Sequence, residues 1–401
     1  MIGVWRQALT FDAAVRLLLV NQLTINLGFY MLMPYLAEHL AGGLGLAAWA
    51  VGLVMGVRNL SQQGMFLVGG ALADRFGFKP LIVAGCALRT VGFGALAFVE
   101  SLPMLIAASL ATGLAGALFN PAVRAYLAAE AGEERRVEAF ALFNAFYQAG
   151  ILLGPLVGVA LLGVSFRLVC VVAAVLFAGL TVLQLGRLPE RGAAVGAETG
   201  RGHFRTVLGN RTFWLFAAAM TGSYVLQFQV YLALPLAAGG RWETSALFVV
   251  SGLVALCGQL RITAWCRAHW TRERCLVAGL ALMGGAFVPP ALGFTGPAGL
   301  LLCAAVLSAG TAVLYPYEMD TIVALSGGRR VATHYGLYNT VCGIGITLGN
   351  LATGWLLGAY GQAVWWVFMA VGAGCAVSVG LLGRGGRLAP APRVPRMAEA
   401  E

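Results

Sequence analysis

Ionisable side chains are rare inside the apolar runs of this 401-residue chain, and those that lie there are the first candidates for chemistry. Arg58 lies deep in one run, while Glu318 and Asp320 lie near the end of another, in the sequence Tyr-Pro-Tyr-Glu-Met-Asp. An ionisable group within a bilayer costs roughly 2.5–3.5 kcal/mol on insertion scales, so each is a candidate for binding charge or carrying a proton. Burial favours the protonated form of a carboxylate, as proton coupling requires. The structural alternatives are that Arg58 pairs with helix carbonyls and Gln62, and that the two acids lie at an ordinary solvated helix end.

Polar stripes at helical spacing run along several of the apolar stretches. Tyr224, Gln227 and Tyr231 fall on one helical face. A lipid-facing position gains nothing from a glutamine, so we expect this stripe to face a cavity or a neighbouring helix. By the same reasoning the candidate cavity residues are Gln22, Asn26, Asn120, Tyr224, Gln227, Tyr231 and Tyr315. A cavity lined by amides and aromatic rings suits bulky, mostly apolar molecules, and helix packing is the alternative for each residue.

The elements that carry these residues are predicted from composition and hydropathy. With 60% apolar and 10% charged side chains, the chain lies far from the soluble average of about 45–50% apolar and about 25% charged. About 20 apolar residues cross a bilayer as a helix. Runs of spanning length can be placed at 17–37, 46–71, 81–99, 104–125, 139–163, 167–186, 212–237, 244–263, 275–293, 298–322, 333–358 and 363–383. The sequence therefore predicts an all-α membrane protein with twelve transmembrane helices.

The basic residues are distributed unevenly between the predicted loops. With both termini in the cytoplasm, only Arg167 and Arg241 lie outside. Arg58 and Arg89 lie within the bilayer, which leaves 22 of the 26 Lys and Arg residues inside. Arg124 belongs to that inner group in this prediction, and Arg89 is expected to extend toward the cytoplasmic surface. Because positive loops stay in the cytoplasm, the net charge of +10 predicts topology in a bacterial-type inner or plasma membrane and needs no nucleic acid.

A polar, basic stretch at 187–211 divides the predicted helices into two halves. Residues 82–88 align with residues 276–282 at an offset of 194 positions, and Pro121 aligns with Pro316 at an offset of 195. We therefore predict an N-terminal half at 1–186, a cytoplasmic loop at 187–211, a C-terminal half at 212–383 and a cytoplasmic tail at 384–401. Two repeated halves are typical of secondary transporters, whose substrate site lies between the halves near the bilayer midplane.

The loop after the second apolar run has the spacing Gly-x-x-x-Asp-Arg-x-Gly-x-Lys, formed by Gly70, Asp74, Arg75, Gly77 and Lys79. Glycine permits a tight turn, and an acid with two cations can pair across to a neighbouring helix end. The motif resembles the cytoplasmic signature of the major facilitator superfamily, and the span count, the repeat and the central loop agree with that resemblance. The resemblance implies that these residues hold an inner gate. A plain basic loop is the alternative for Arg75 and Lys79.

A second motif lies in the fifth predicted span, where Gly150, Gly154, Pro155 and Gly158 give the spacing Gly-x-x-x-Gly-Pro-x-x-Gly. Small residues let two helices approach closely, and proline bends a helix. The motif is similar to that of major facilitator antiporters, and the segments 56–64 and 166–170 resemble the MdtH-type multidrug exporters of the drug:proton antiporter group. The resemblance implies export in exchange for protons. A close-packing seam is the structural alternative.

Three departures from the family pattern bear on coupling. The basic residue that many members carry in span four has no counterpart near Ser109, and Asn21 stands where MdtH-like proteins carry an acid. The second-half counterpart of Asp74 is Ala268, so that copy of the loop motif has decayed. The chain therefore departs from the usual proton relay, and the sequence leaves open whether H⁺, Na⁺ or no ion is coupled.

Other chemistry finds no support in the sequence. The cysteines form no Cys-x-x-Cys pair, the histidines are not at metal-ligand spacing, and no phosphate-binding glycine loop is followed by Lys-Ser or Lys-Thr. No metal, cofactor or enzymatic activity is therefore expected. We predict a monomeric secondary active transporter in the lipid bilayer that exports small amphiphilic compounds, such as drugs, by proton antiport. The alternatives are a dedicated exporter of one metabolite, such as a siderophore, sugar or antibiotic, and a transporter-like receptor or lipid scramblase.

Overall fold

Helices form almost all of the computed structural model, which describes residues 2–190, 207–238 and 241–388. No strand is present within these residues. The first part of the chain contains α1 (Ile2–Ala8), α2 (Ala13–Glu38), α3 (Ala48–Phe76), α4 (Phe78–Leu96), α5 (Leu102–Leu162) and α6 (Phe166–Arg187). The second part contains α7 (Arg211–Phe228), α8 (Ala233–Ala237), α9 (Arg241–His269), α10 (Arg272–Gly285), α11 (Val288–Ala291), α12 (Pro297–Leu325), α13 (Val331–Tyr360) and α14 (Val364–Arg384).

Eight helical stretches of the described residues are long and apolar enough to cross a membrane. Two of them are of double length: α5 has 61 residues, and the stretch Val331–Arg384, which contains α13 and α14, has 54. The less apolar helices α3 and α7 pack among these stretches. Counted in this way, the described residues form twelve membrane-crossing helices, as the sequence predicts.

Apolar side chains cover the outside of the bundle. Leu60, Val182 and Leu351 are 73%, 71% and 68% exposed, on three different helices. An exposed apolar surface of this extent is typical of contact with lipid. Aromatic rings fill the interior instead, and the fully buried ones include Phe93 in the first part and Trp365 in the second. The fold is therefore that of an all-α membrane protein.

The 61-residue α5 consists of two crossing arms that meet at Gly132. Gly132 has φ +67°, a left-handed value that glycine adopts without the steric cost of a side chain. The first arm covers 102–131 and the second covers 133–162. Helical backbone angles continue through Pro155, so any bend at this predicted proline leaves the second arm unbroken.

The two parts of the chain meet along α3 with α13 and along α5 with α9 and α12. Glycine allows the first of these contacts. A Cβ atom on Gly70 would lie 2.2 Å from the Ala332 carbonyl oxygen, and one on Gly336 would lie 2.3 Å from that of Phe66. These contacts lie toward the end of the bundle that carries Asp74, called here the Asp74 end; the opposite end, which carries Glu100, is the Glu100 end.

The predicted domain boundaries fall close to helix ends. α6 ends at Arg187 and α7 begins at Arg211. Most of the predicted loop at 187–211 and most of the predicted tail at 384–401 lie outside the described residues. The division into halves at 1–186 and 212–383 therefore stays a prediction, as does the cytoplasmic location of both termini.

Candidate functional site

A cavity lies between the two parts of the chain, about midway along the helices. Its volume is about 170 Å³, below the roughly 300–1,000 Å³ of sites that hold drug-sized ligands. Helices α2, α3, α4, α5, α7 and α13 line it with amides, aromatic rings and two arginines. No acid is among the described lining residues. The cavity is therefore small, and its lining is positively charged.

The structure brings four of the predicted cavity residues to this cavity and places others elsewhere. The four are Gln22, Asn26, Asn120 and Tyr224. Gln227 and Tyr231 instead line a second cavity of about 40 Å³, beside Asn144, Gln148 and Thr311. The prediction that Tyr224, Gln227 and Tyr231 share one helical face is wrong at Tyr231, because α7 ends at Phe228.

Arg124 is predicted at the inner end of the span 104–125, with the cytoplasmic group; it lies instead in the cavity wall, so that assignment is wrong. The first arm of α5 continues as helix well past this position, which keeps Arg124 among apolar neighbours in the sequence Pro-Ala-Val-Arg-Ala-Tyr. The predicted cavity residue Tyr315 hydrogen-bonds the guanidinium, and Tyr224 lies close to it. The apolar residues on both sides of Arg124 are the sequence signal that the helix continues past the predicted span end at 125.

Glu318 is a buried carboxylate on α12 beside the cavity, with 2% of its surface exposed. The Tyr338 hydroxyl donates to its Oε1 atom, and Tyr224 also hydrogen-bonds the carboxylate. Its charge interacts with that of Arg124 from the other part of the chain. Because Tyr224 is itself a wall residue, one hydrogen bond separates Glu318 from the cavity.

Two arginines contact the ring of Phe29, which lines the cavity; Arg89 lines the cavity as well, whereas Arg58 is not among the described lining residues. The guanidinium carbon of Arg58 lies 5.0 Å from the ring centroid, and that of Arg89 lies 5.7 Å from it. Arg58 also donates to Gln62 at 3.4 Å. Arg89 is 4% exposed, and its guanidinium carbon lies 5.8 Å from the Phe177 centroid. The prediction that Arg89 extends to the membrane surface is wrong, because its side chain turns inward onto these two rings.

Asp74 of the predicted gate motif lies against the N-terminus of α13. Its carboxylate accepts hydrogen bonds from the backbone N–H groups of Ala332 at 3.2 Å and Thr333 at 2.7 Å, and from the Thr333 hydroxyl at 2.6 Å. The first turn of a helix has N–H groups without intrahelical partners, and its dipole favours an anion. Asp74 therefore caps α13 and joins the two parts of the chain.

The other motif residues shape the turn between α3 and α4. Gly77 lies between the two helices with φ +93°, and Gly70 contacts the Ala332 carbonyl as described above. Arg75 is exposed, and its guanidinium carbon lies 5.0 Å from the Phe76 centroid, while Lys79 lies in the first turn of α4. The predicted pairing to a neighbouring helix end is made by Asp74, and the described contact of Arg75 is with its neighbour Phe76.

Asp320 lies at the Asp74 end between two arginines. Its Oδ1 atom is 3.0 Å from Nη1 of Arg136 in α5, and its Oδ2 atom is 2.9 Å from Nη2 of Arg272 in α10. The Asp320 side chain is 5% exposed, so these ion pairs are shielded from solvent. The Arg136 pair joins the two parts of the chain, whereas the Arg272 pair lies within the second part.

The glycines of the antiporter-like motif pack against α2. A Cβ atom on Gly150 would lie 2.6 Å from the Asn26 Cβ, and one on Gly158 would lie 2.3 Å from the Met31 carbonyl oxygen. Gly154 approaches Tyr30 in the same way, at 2.7 Å. The Pro155 carbonyl accepts a hydrogen bond from the Tyr35 hydroxyl at 3.1 Å. The seam therefore positions Asn26 and Tyr30, which both line the cavity.

The sequence profile described as Major Facilitator Superfamily matches residues 18–288, more than half of the chain. The chain belongs to the major facilitator superfamily. Members of this superfamily are membrane transporters, so this major facilitator is a multi-pass membrane transporter and not an enzyme. Its cargo is a small molecule.

Two relatives and one solved structure are similar to this major facilitator. It is 55% identical over 365 residues to an uncharacterized MFS-type transporter of Mycobacterium tuberculosis (strain ATCC 25618 / H37Rv), and the match covers 87% of each chain. It is 29% identical over 343 residues to the multidrug resistance protein MdtH of Escherichia coli O1:K1, with 84% of this chain and 85% of that protein covered. The crystal structure of the human organic anion transporter MFSD10 (TETRAN) matches with a TM-score of 0.74 at 15% identity, over 91% of this chain and 98% of that one. The predicted resemblance to MdtH-type major facilitators is confirmed.

Proposed function

We propose that this major facilitator exports small amphiphilic compounds in exchange for protons, by alternating access in a bacterial-type inner membrane. In this proposal the Asp74 end faces the cytoplasm, as the distribution of basic residues predicts. The relatedness to MdtH, named as a multidrug resistance protein, supports drug-like cargo. The amide and aromatic lining of the cavity suits such compounds.

The observation that carries the proposal is the pair of opposite charges at the cavity, Glu318 on α12 and Arg124 on α5. Opposite charges attract each other more strongly in a buried, low-dielectric site than they do in water. An ionised Glu318 attracts Arg124 and favours closure of the two halves around them. Protonation of Glu318 removes this attraction, so that Arg124 is solvated by water once the cargo has left.

Proton exchange then depends on the side of the membrane to which the Glu318 carboxylate is accessible. When the cavity opens to the outside, Glu318 takes up a proton as the cargo leaves. When it opens to the cytoplasm, Glu318 releases the proton and cargo enters. Tyr224 and Tyr338 hold the carboxylate by hydrogen bonds, and Tyr224 reaches the cavity wall, so a proton has a short path between the two.

Closure of the cytoplasmic end is assigned to two contacts between the halves. The Asp74 carboxylate caps α13, and Asp320 pairs with Arg136. Both must separate before cargo enters from the cytoplasm. The seam formed by Gly150, Gly154 and Gly158 lets the second arm of α5 slide on α2 without side chains that interlock.

A dedicated exporter of one metabolite is the second candidate. The small volume of about 170 Å³ and the fixed positive charges at the wall favour it, because a polyspecific site needs room and adaptable contacts. A competition panel of chemically unlike compounds separates the two, since a dedicated exporter responds to one chemical class only.

The test uses purified full-length protein in proteoliposomes with an imposed pH gradient. We expect the gradient to drive transport of at least one dye from a panel of anionic, neutral and cationic dyes. Glu318→Gln keeps the shape of the side chain and removes its titration, so it should reduce gradient-driven transport about tenfold or more while dye-for-dye exchange without a gradient persists.

The matched control is Glu100→Gln, which removes an exposed acid at the Glu100 end and should transport as the wild type does. Asp320→Asn is measured alongside. Gradient-driven transport that survives in Glu318→Gln and disappears in Asp320→Asn would assign the coupling carboxylate to Asp320 and contradict the proposal.

A further inference from the structure

Arg89, which is buried, and Arg58, which is half-buried, face the same ring and have no carboxylate partner among the described residues. Arg58 and Arg89 both contact the Phe29 ring, and their charges repel each other. The Nε atoms of both side chains are buried without a hydrogen-bond partner. Their described polar neighbours are neutral, such as Gln62. This is an unusual arrangement, because buried charges in proteins are normally paired.

Packing alone accounts poorly for this pair. The faces of Phe29 and Phe177 attract the guanidinium groups, but an aromatic ring neutralises no charge. A structural arginine in a bilayer reaches a carboxylate, a set of carbonyls or the membrane surface. Arg89 is 4% exposed and turns into the cavity wall instead. The missing partner is therefore an anion that comes from outside the chain.

We propose that the cargo is an amphiphilic organic anion whose acidic group binds Arg89 at the cavity wall and is also attracted by the charge of Arg58. A carboxylate, sulfonate or phosphate group accepts the forked hydrogen bonds of guanidinium groups. The apolar body of the cargo packs on the aromatic part of the cavity, against Tyr30, Phe66 and Phe228. This inference rests on the proposed transport function and names the substrate class for the same cavity.

The remaining charges of the cavity favour the same class. Arg124 adds a second cation to the lining, and no acid is present in the described lining. The nearby carboxylate of Glu318 is held by Tyr338 and Tyr224 and interacts with Arg124. A cationic compound would therefore meet like charge without a free acid to pair with.

The test measures equilibrium binding of two dyes that share a xanthene body. Fluorescein is anionic at pH 7.5, and rhodamine 123 is cationic. The full-length protein is placed in nanodiscs of phosphatidylcholine, which has no net charge, and binding is followed by fluorescence polarisation. We expect fluorescein to bind at least about tenfold more tightly than rhodamine 123.

The variants locate the site. Arg58→Gln and Arg89→Gln should each weaken fluorescein binding about tenfold or more, and Arg89→Lys should recover part of the affinity. Arg167→Gln is the matched control, because its guanidinium carbon also lies over a ring, that of Phe98 at 4.2 Å, but outside the described lining of the cavity. Phosphatidylglycerol added to the nanodiscs tests whether a lipid headgroup competes for the site. Loss of fluorescein binding at a low content of phosphatidylglycerol would assign the site to a lipid headgroup and overturn a soluble cargo.

Thermal unfolding without dye separates a binding role from a structural one. Removing an unpaired buried charge should raise the unfolding temperature of Arg89→Gln, whereas loss of a structural contact should lower it. Equal affinity for the two dyes, or unchanged fluorescein binding in both glutamine variants, would overturn the inference. The binding test does not depend on a pH gradient, so it can fail separately from the proposed function. Binding of anions without gradient-driven transport would overturn only the proposed function. Gradient-driven transport of cations alone would overturn only the anion site.

Discussion

At the scale of single residues, Asp74 supplies a negative charge to the first turn of a helix in the other part of the chain. Asp74→Asn keeps one acceptor oxygen but loses the charge and the second acceptor. Such a change at a helix N-terminus is worth about 1–2 kcal/mol in a partly buried geometry, a shift of roughly 5–30-fold between closed and open states. We expect the Asp74 end to open more often.

The reporter for this opening is Cys342, which lines the cavity and is 1% exposed. A membrane-impermeant maleimide added to inside-out vesicles should label Cys342 faster in Asp74→Asn than in the wild type. The control is Asp12→Asn, because Asp12 precedes α2 and makes no side-chain capping hydrogen bond. Equal labelling rates in Asp74→Asn and Asp12→Asn would contradict the capping role.

At this scale the sequence predicts which residues belong to the site, but it does not predict which residues contact them. Asp74 is isolated in a loop in the sequence, and its partner Thr333 lies 259 positions away, so the capping contact depends on how α3 and α13 pack. The prediction of Arg124 at the cytoplasmic end of its span is wrong for a different reason. Positive charge near a span end is normally a loop signal, and here the helix continues and carries the charge inward.

At the scale of helices, the ion pairs of Asp320 tie α12 to α5 and to α10. Arg136→Gln breaks the pair between the two parts of the chain, while Arg272→Gln breaks the pair within the second part. Breaking a buried ion pair costs about 3–5 kcal/mol, and less where the arginine is partly exposed, as Arg272 is at 28%. We expect both variants to unfold at lower temperature.

Cys342 labelling tells the two variants apart. Arg136→Gln should speed labelling from the Asp74 end several-fold, because its ion pair opposes separation of the parts. Arg272→Gln should leave labelling close to the wild-type rate. Faster labelling in Arg272→Gln than in Arg136→Gln would show that Asp320 stabilises the second part and does not hold the end closed.

The sequence predicts part of the helix seam between α2 and the second arm of α5. Glycines at intervals of four predict a close helix contact, but they do not say which helix is the partner. Asn26 and Tyr30 pack on this seam and also line the cavity. The seam therefore fixes the positions of two residues of the cavity wall, whether or not α5 slides on α2.

At the scale of the whole molecule, hydropathy alone predicted the number of crossing helices, because each must present apolar residues to lipid over a fixed thickness. The pattern could not predict which polar faces meet. Tyr231 lies outside the predicted stripe because α7 ends three residues before it. The side chain of Arg89 points inward because it packs on the rings of Phe29 and Phe177. Tertiary contacts determine where a helix ends and whether a charged side chain points inward. The hydropathy period and the composition of the sequence do not predict those contacts.

The central claim is that Glu318 couples the export of cargo to the entry of protons. The most direct measurement uses proteoliposomes with a pH indicator inside and no imposed pH gradient. An outward gradient of a transported dye, chosen so that its emission does not overlap with that of the indicator, is then applied. The account predicts that protons enter as the dye leaves in the wild type, and that Glu318→Gln releases dye without acidifying the interior. Dye exit from wild-type vesicles with no proton entry, or proton entry that persists in Glu318→Gln, would contradict it.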